Sequence, residues 1–246
     1  MFDLTPMEAL RVEQSGGVLH VTLNRPYQRN AMSLRMVSEL IDVLSQAESS
    51  AEVRVIVLRG AGRHFCARAD LKDMAAARIS AQLQPHSTVG PDPIAQANAQ
   101  FGNLCVAYAK SPLTIVALLE GSVMGGGVGL ACVADVALAS ETVVFRLPVT
   151  GGRTDAQQAL RIGLIHEVYG EGAIDTALAR VLAEILACAP LAVAHTNSLM
   201  ARARLVAPID LVQDAAAIFS CAAQGLEGQE GTCAFLQKRK PSWATP

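Results

Sequence analysis

Two stretches of this 246-residue chain have the composition of loops that open a helix beside a reacting group. The first is Phe65-Cys66-Ala67-Arg68-Ala69-Asp70-Leu71; the second is Glu120-Gly121-Ser122-Val123-Met124-Gly125-Gly126-Gly127. Each lies downstream of a short apolar run, Val53–Leu58 or Thr114–Leu119, of the kind that makes a strand buried on both faces. Each leads into a helical pattern. The first N–H groups of a helix have no partner within it and sit at the positive end of its dipole. Two such ends brought together would hold an oxygen that gains negative charge. A donor placed in advance in this way is worth roughly 100- to 1,000-fold in rate. The glycines have a second reading, which is close packing of helix on strand, and the residues alone leave both open.

Other chemistries fit less well. A dinucleotide fingerprint needs a glycine where Leu130 stands, and no GxSxG elbow is present. The histidines (His20, His64, His86, His166, His195) show no metal-ligand spacing, so no metal is expected. Six dispersed cysteines without a CxxC pair read as reduced thiols of a cytoplasmic protein. A formal net charge of −2, with Lys238-Arg239-Lys240 as the one basic block, argues against a nucleic-acid partner. No apolar stretch has the length of a membrane helix, and MFDLTPMEAL lacks the pattern of a secretory leader, so no membrane partner is expected. Glu120 and Glu141 read as surface or packing charges, and Asp135 as a backbone anchor at a helix end.

The elements that must position the two loops follow from periodicity. Leu10–Glu13 and Val18–Leu23 alternate around Ser15-Gly16-Gly17 and predict a hairpin. Ser33 stands where it can cap a helix carrying Leu34, Val37, Leu40, Ile41 and Leu44 at helical spacing. Asp70 can cap the helix starting at Leu71. Residues from Ser80 to Pro93 read as a loop, and Ile94–Ala109 as a helix. After the glycine cluster come a helix to about Ala134 and strands at Val136–Ala139 and Val143–Phe145. Thr154-x-x-Gln157 predicts a capping box, and from Gly172 onward only helices are expected, divided by Pro190 and Pro208. Strand–helix alternation followed by helices predicts an α/β core with a mostly parallel sheet and a helical C-terminal part. The expected division is a core over 1–170 and a helical subdomain over 171–246.

Several motifs in order resemble the enoyl-CoA hydratase/isomerase (crotonase) superfamily. They are Asn24-Arg25-Pro26 with Asn30-Ala31-Met32, the FCARADL segment, GSVMGGGVGL leading to Ala134-Asp135, and Thr150-Gly151-Gly152-Arg153 with Ala156–Gly163. The terminal Glu230-Gly231 and Ala234-Phe235 through Pro241 extend the likeness over nearly the whole chain. The resemblance implies a crotonase-like ββα spiral core, an acyl-CoA substrate and a homotrimer or dimer of trimers. CoA would be part of the substrate, with no separate cofactor. It also implies that Ala69 and Gly126 supply the two oxyanion-hole N–H groups. Tyr27, Gln28 and Arg29 would cradle the CoA, while Ala67, Arg68, Asp70, Leu71 and Met74 would lie along the substrate. Gly125, Val128, Gly129 and Pro148 would line the acyl site. The terminal basic cluster resembles residues that meet CoA phosphates, although a solvated helix end explains it as well. The helical subdomain would serve oligomerisation and cover the active site.

Three departures accompany the likeness. Arg68 stands where the family has glycine, which raises the expectation of a distorted turn or of a reach to phosphate. Gly129 replaces the first glutamate of the GGGxE pattern. The second carboxylate would follow Pro148, yet Val149 comes next, and a strand-turn and long helix are missing there. A crossover back to a parallel sheet takes at least about ten to twelve residues, so an additional segment with a glutamate after Pro148 is the expectation. The GGGVGL form is similar to bacterial hydratases of isohexenylglutaconyl-CoA and methylglutaconyl-CoA. Small residues at Val128 and Gly129 would leave room for a branched or long acyl chain. The reading is hydration of such an enoyl-CoA. Double-bond isomerisation or acyl-CoA binding without turnover stands as the alternative.

Overall fold

The computed structural model of the chain describes residues 7–83, 93–147 and 151–244. Strands β1 (Leu10–Ser15) and β2 (Val18–Leu23) form the expected hairpin, turned by Gly16 at φ 54°. Helix α1 (Leu34–Glu48) follows, and the Ser33 side chain accepts from Met36 N–H as its cap. Its buried face carries Met36, Val37, Leu40, Val43, Leu44 and Ala47. Removing a leucine-sized side chain from water contributes about 1.5–3 kcal/mol, so this face fixes the helix on the sheet. Strand β3 (Val55–Gly60), helix α2 (Leu71–Leu83), helix α3 (Pro93–Lys110) and strand β4 (Thr114–Leu119) come next. The remaining core elements are β5 (Ser122–Met124), α4 (Gly126–Val133), β6 (Val136–Ser140), β7 (Val144–Arg146), β8 (Arg153–Asp155), α5 (Ala156–Arg161) and β9 (Glu167–Tyr169).

The main sheet has the order β1-β2-β3-β4-β6-β9, parallel from β2 onward, and β5-β7-β8 form a second small sheet. Strand β4 is buried along its whole length, as a continuous apolar run must be when both faces are covered. One side of the main sheet packs on α1, α3 and α4; the other packs Val55, Val57, Val116 and Leu118 against α6 (Ile174–Ala187). Helices α7 (Pro190–Ala203), α8 (Val212–Gln224) and α9 (Leu226–Leu236) complete the helical C-terminal part. Among the described residues no single helix is long and apolar enough to cross a membrane.

Three expectations shift. Residues 80–83 belong to α2 rather than to a loop, and 84–92 lie outside the described residues. Asp155, not Thr154, caps α5, accepting from Gln158 N–H at 2.8 Å, because Thr154 is paired with Phe145 in β8. Strand β9 was not expected from the sequence. The join Pro148–Val149 lies outside the described residues, but its flanks do not. There β7 and β8 run antiparallel, with Arg146 opposite Arg153, and Gly151 N–H donates to the Leu147 carbonyl at 2.9 Å. An antiparallel pair of this kind can be joined by a hairpin, without a crossover.

Candidate active site

The two loop-to-helix junctions meet through one extended piece, residues 65–70, that changes partners along its length. Phe65 N–H donates to Glu120 C=O at 2.9 Å, Cys66 N–H to Ser122 C=O at 3.1 Å, and Met124 N–H to Cys66 C=O at 2.9 Å. Beyond Cys66 the piece leaves that loop and joins the other one. Ala67 N–H donates to Arg29 C=O, Met32 N–H to Arg68 C=O and Asp70 N–H to Met32 C=O, at 3.0, 2.8 and 2.8 Å. Because Met32 bonds to residues 68 and 70, the N–H of Ala69 is turned to the opposite side of the piece. It has no protein partner among the described residues.

On that side lies the second junction. Gly125 has φ 54° and ψ −119°, a conformation that only glycine takes readily, and it turns the chain into α4. A Cβ at Gly125 would sit 3.9 Å from the Ala69 nitrogen. Gly126 opens the helix, so its N–H has no partner along α4. Gly127 lets the helix press on the extended piece: a Cβ there would lie 2.6 Å from the Cys66 carbonyl oxygen. The loops thus place two unpaired N–H groups, from Ala69 and Gly126, beside one another.

A polar bracket holds the first loop. Asn30 is fully buried at φ 55°; its Oδ1 accepts from Arg25 N–H at 2.8 Å, and its Nδ2 donates to the carbonyls of Ala61 and His64 at 2.8 and 2.6 Å. The Arg25 guanidinium donates to the Ala31 carbonyl and pairs with Asp70 at 2.6 Å. Asp70 Oδ1 accepts from Lys72 N–H in the first turn of α2. Burial would raise the Asp70 pKa, but the hydrogen bonds from Arg25 and Lys72 and the charge of Arg25 outweigh it and hold it below the usual carboxylate range. His64 Nδ1 accepts from Ser122 N–H at 3.1 Å and joins the two junctions; burial first, then the charge of Arg29, lowers its pKa. Burial pushes the Cys66 thiol up to about 11, which removes it as a nucleophile at neutral pH.

The other candidate residues take these places. Tyr27 is 98% exposed, and Gln28 and Arg29 are exposed beside it on a single helical turn. Arg68 is exposed, and its φ is not positive, so the arginine causes no strained turn. Ala67 is half-buried, Met74 on α2 is half-exposed, and Val128 is buried against the core. Pro148 and the side chain of Leu71 lie outside the described residues. Gly129 has no open space beside it. A Cβ there would meet Phe101 Cζ at 2.9 Å and Cys105 Sγ at 3.3 Å, so the room expected for a branched acyl chain is filled from α3. Within the terminal basic cluster, Arg239 is held by both oxygens of Glu230 at 2.7 and 2.8 Å. Among the described residues no cluster of three or more His, Cys, Asp or Glu can hold a metal ion. No described carboxylate hydrogen-bonds to the Ala69 or Gly126 N–H: Asp70 faces Arg25, Asp73 accepts from Leu34 N–H, and Glu120 pairs with Arg59. Phe101, and the bonds that the motif residue Asn30 makes, are what sequence reasoning missed, since most of their partners lie far along the chain.

A family model for enoyl-CoA hydratase/isomerase matches residues 13–150. The crystal structure of an enoyl-CoA hydratase/isomerase from Marinobacter aquaeolei superposes with a TM-score of 0.90 at 39% identity, covering 96% of this chain and 99% of that one. Pseudomonas aeruginosa AtuE superposes with a TM-score of 0.90 at 40% identity, covering 97% and 100%. Among curated relatives, the 2,3-dehydroadipyl-CoA hydratase of Escherichia coli is 27% identical, over 96% of this chain and 99% of its own. The peroxisomal Delta(3,5)-Delta(2,4)-dienoyl-CoA isomerase of Arabidopsis thaliana is 26% identical over 97% and 96%. That last alignment runs over 270 positions, more than this chain possesses, so the relative carries residues with no counterpart here. The shared α/β architecture is the one implied by the motifs.

Proposed function

We propose a function from the premise that this chain belongs to the enoyl-CoA hydratase/isomerase family: it binds an α,β-unsaturated acyl-CoA and polarises the thioester, without efficient hydration. The observation that carries this reading is the pair of partnerless N–H groups of Ala69 and Gly126, set side by side by the bridge to Met32 and the turn at Gly125. A thioester oxygen accepting from both would draw electron density from the conjugated double bond, and enolate character would be stabilised there. Completing a hydration needs at least one group that takes a proton from water and delivers one to the α-carbon. Gly129 offers no such group, and Val149 stands where a second carboxylate was expected. CoA belongs to the ligand in this account, with no separate cofactor. In this reading Tyr27, Gln28 and Arg29, all exposed, would meet its polar half.

A second reading is hydration of a branched glutaconyl-type enoyl-CoA. Its support is the likeness of the GGGVGL segment to hydratases of that class, together with the relative that hydrates 2,3-dehydroadipyl-CoA. Isomerisation has equal support from the dienoyl-CoA isomerase relative. Self-association is part of the proposal as well: Leu205, Ile209, Phe219, Leu226, Phe235 and Leu236 stand largely exposed on the helical part, and such surface suits contact with further copies. The test is titration with butyryl-CoA and crotonyl-CoA, with the conjugated thioester absorbance followed in the second. Saturable binding of both with persistent absorbance is the expected result. Rapid loss of absorbance would establish hydration instead, and absence of binding would end the acyl-CoA reading.

A further inference from the structure

Helix α3 brings to the site an aromatic side chain that none of the matched motifs contains. A Cβ at Gly126 would meet Phe101 Cε2 and Cζ at 3.2 and 3.3 Å, and one at Gly129 would meet Cζ and Cε1 at 2.9 and 3.2 Å. Gly126 and Gly129 are three residues apart on α4 and therefore share a face. Bare of side chains, they form a notch that receives the tip of the ring. Buried Leu104 and Tyr108 hold α3 in place behind it, and Tyr108 donates its hydroxyl to the Leu40 carbonyl at 3.1 Å. The ring is only partly buried, and its tip lies against Gly126, the residue whose N–H opens α4. An oxygen accepting from that N–H lies about 3 Å from the nitrogen, which brings the first carbons of the acyl chain within about a ring's width of Phe101.

We infer that Phe101 is the specificity-determining wall of the acyl site, and that it limits the bound thioester to a short acyl chain. The inference rests on the acyl-CoA reading above. It also accounts for Gly129: any side chain there would collide with the ring, so the two positions act as one unit. The test compares dissociation constants for butyryl-CoA and octanoyl-CoA, both saturated so that turnover does not intervene. Phe101→Ala should shift the preference toward octanoyl-CoA at least tenfold relative to the wild type, and Phe101→Leu in the same direction by a smaller factor. A preference unchanged in a folded variant would overturn the inference while leaving the acyl-CoA reading intact. If the wild type bound neither thioester, both would fall. The notch has its own readout in thermal melting, independent of ligand. Gly129→Ala should lower the melting temperature of the wild type and have little effect in the Phe101→Leu background; equal losses in both would refute the coupling and the inference with it.

Discussion

Replacing Asn30 by alanine tests whether the bracket holds the first junction. The amide makes three bonds, one from Arg25 N–H and two to the carbonyls of Ala61 and His64. All three of these backbone groups lose that partner when the amide is removed. Losing a partner leaves each with a penalty of about 1 kcal/mol or more at a partly buried site. Asn30 also sits at φ 55°, where alanine costs about 1 kcal/mol more than a residue that tolerates the left-handed region. Asn30→Ala should therefore destabilise the protein by about 4 kcal/mol, and Asn30→Gly by about 1 kcal/mol less, since glycine is at ease at that φ. Denaturant titration of the three proteins measures both differences. Because Asn30 leads directly to Met32 and its bridge with Ala69, acyl-CoA affinity should fall along with stability. A loss below about 1 kcal/mol for Asn30→Ala, or no gap between the two variants, would refute the argument, because surface substitutions produce changes of that size.

Two further outcomes follow from the same geometry. The folded pKa of His64 is lowered, so the folded state binds fewer protons than the unfolded one, and stability falls as pH drops below about 6.5. His20 shifts in the same direction, from burial and then from Arg59, so the comparison is with His64→Asn, whose Oδ1 can accept from Ser122 N–H. That variant should show a shallower loss of stability below about pH 6.5 in denaturation at a series of pH values, and an unchanged slope would remove His64 as a cause. Gly127→Ala puts a Cβ 2.6 Å from the Cys66 carbonyl oxygen and 2.8 Å from its Cβ, so α4 must move. The expected cost is about 1–3 kcal/mol by denaturant titration, with acyl-CoA affinity reduced at least tenfold as Gly126 is displaced; full affinity would show that the position of α4 does not set the site.

Local chemistry made most of the frame readable. The alternation of Leu10–Leu23, the cap at Ser33 and the apolar runs of β3 and β4 each carry their own signal, and each became the element expected. Strand β9 did not, because three half-buried residues are too few to show a period. The capping position of α5 moved by one residue because Thr154 is taken by a pairing with Phe145, a contact that no local pattern contains. At the site, the two junctions were visible as glycine and small residues after buried strands. The roles of Asn30 and Phe101 were not, since their partners at Ala61, His64, Gly126 and Gly129 are about thirty residues distant in each case. The join after Pro148 lies outside the described residues, while its flanks β7 and β8 are antiparallel, a relation for which a hairpin suffices.

The claim at the centre of this account is that Ala69 and Gly126 draw electron density from a bound thioester carbonyl. The measurement that addresses it most directly is the difference infrared spectrum of butyryl-CoA carrying ¹³C at the thioester carbonyl, free and bound to the protein. Two N–H donors on one oxygen weaken the C=O bond, so the account predicts a carbonyl stretch at lower frequency in the complex than in water. A bound carbonyl at the frequency of free thioester, or above it, would contradict the account.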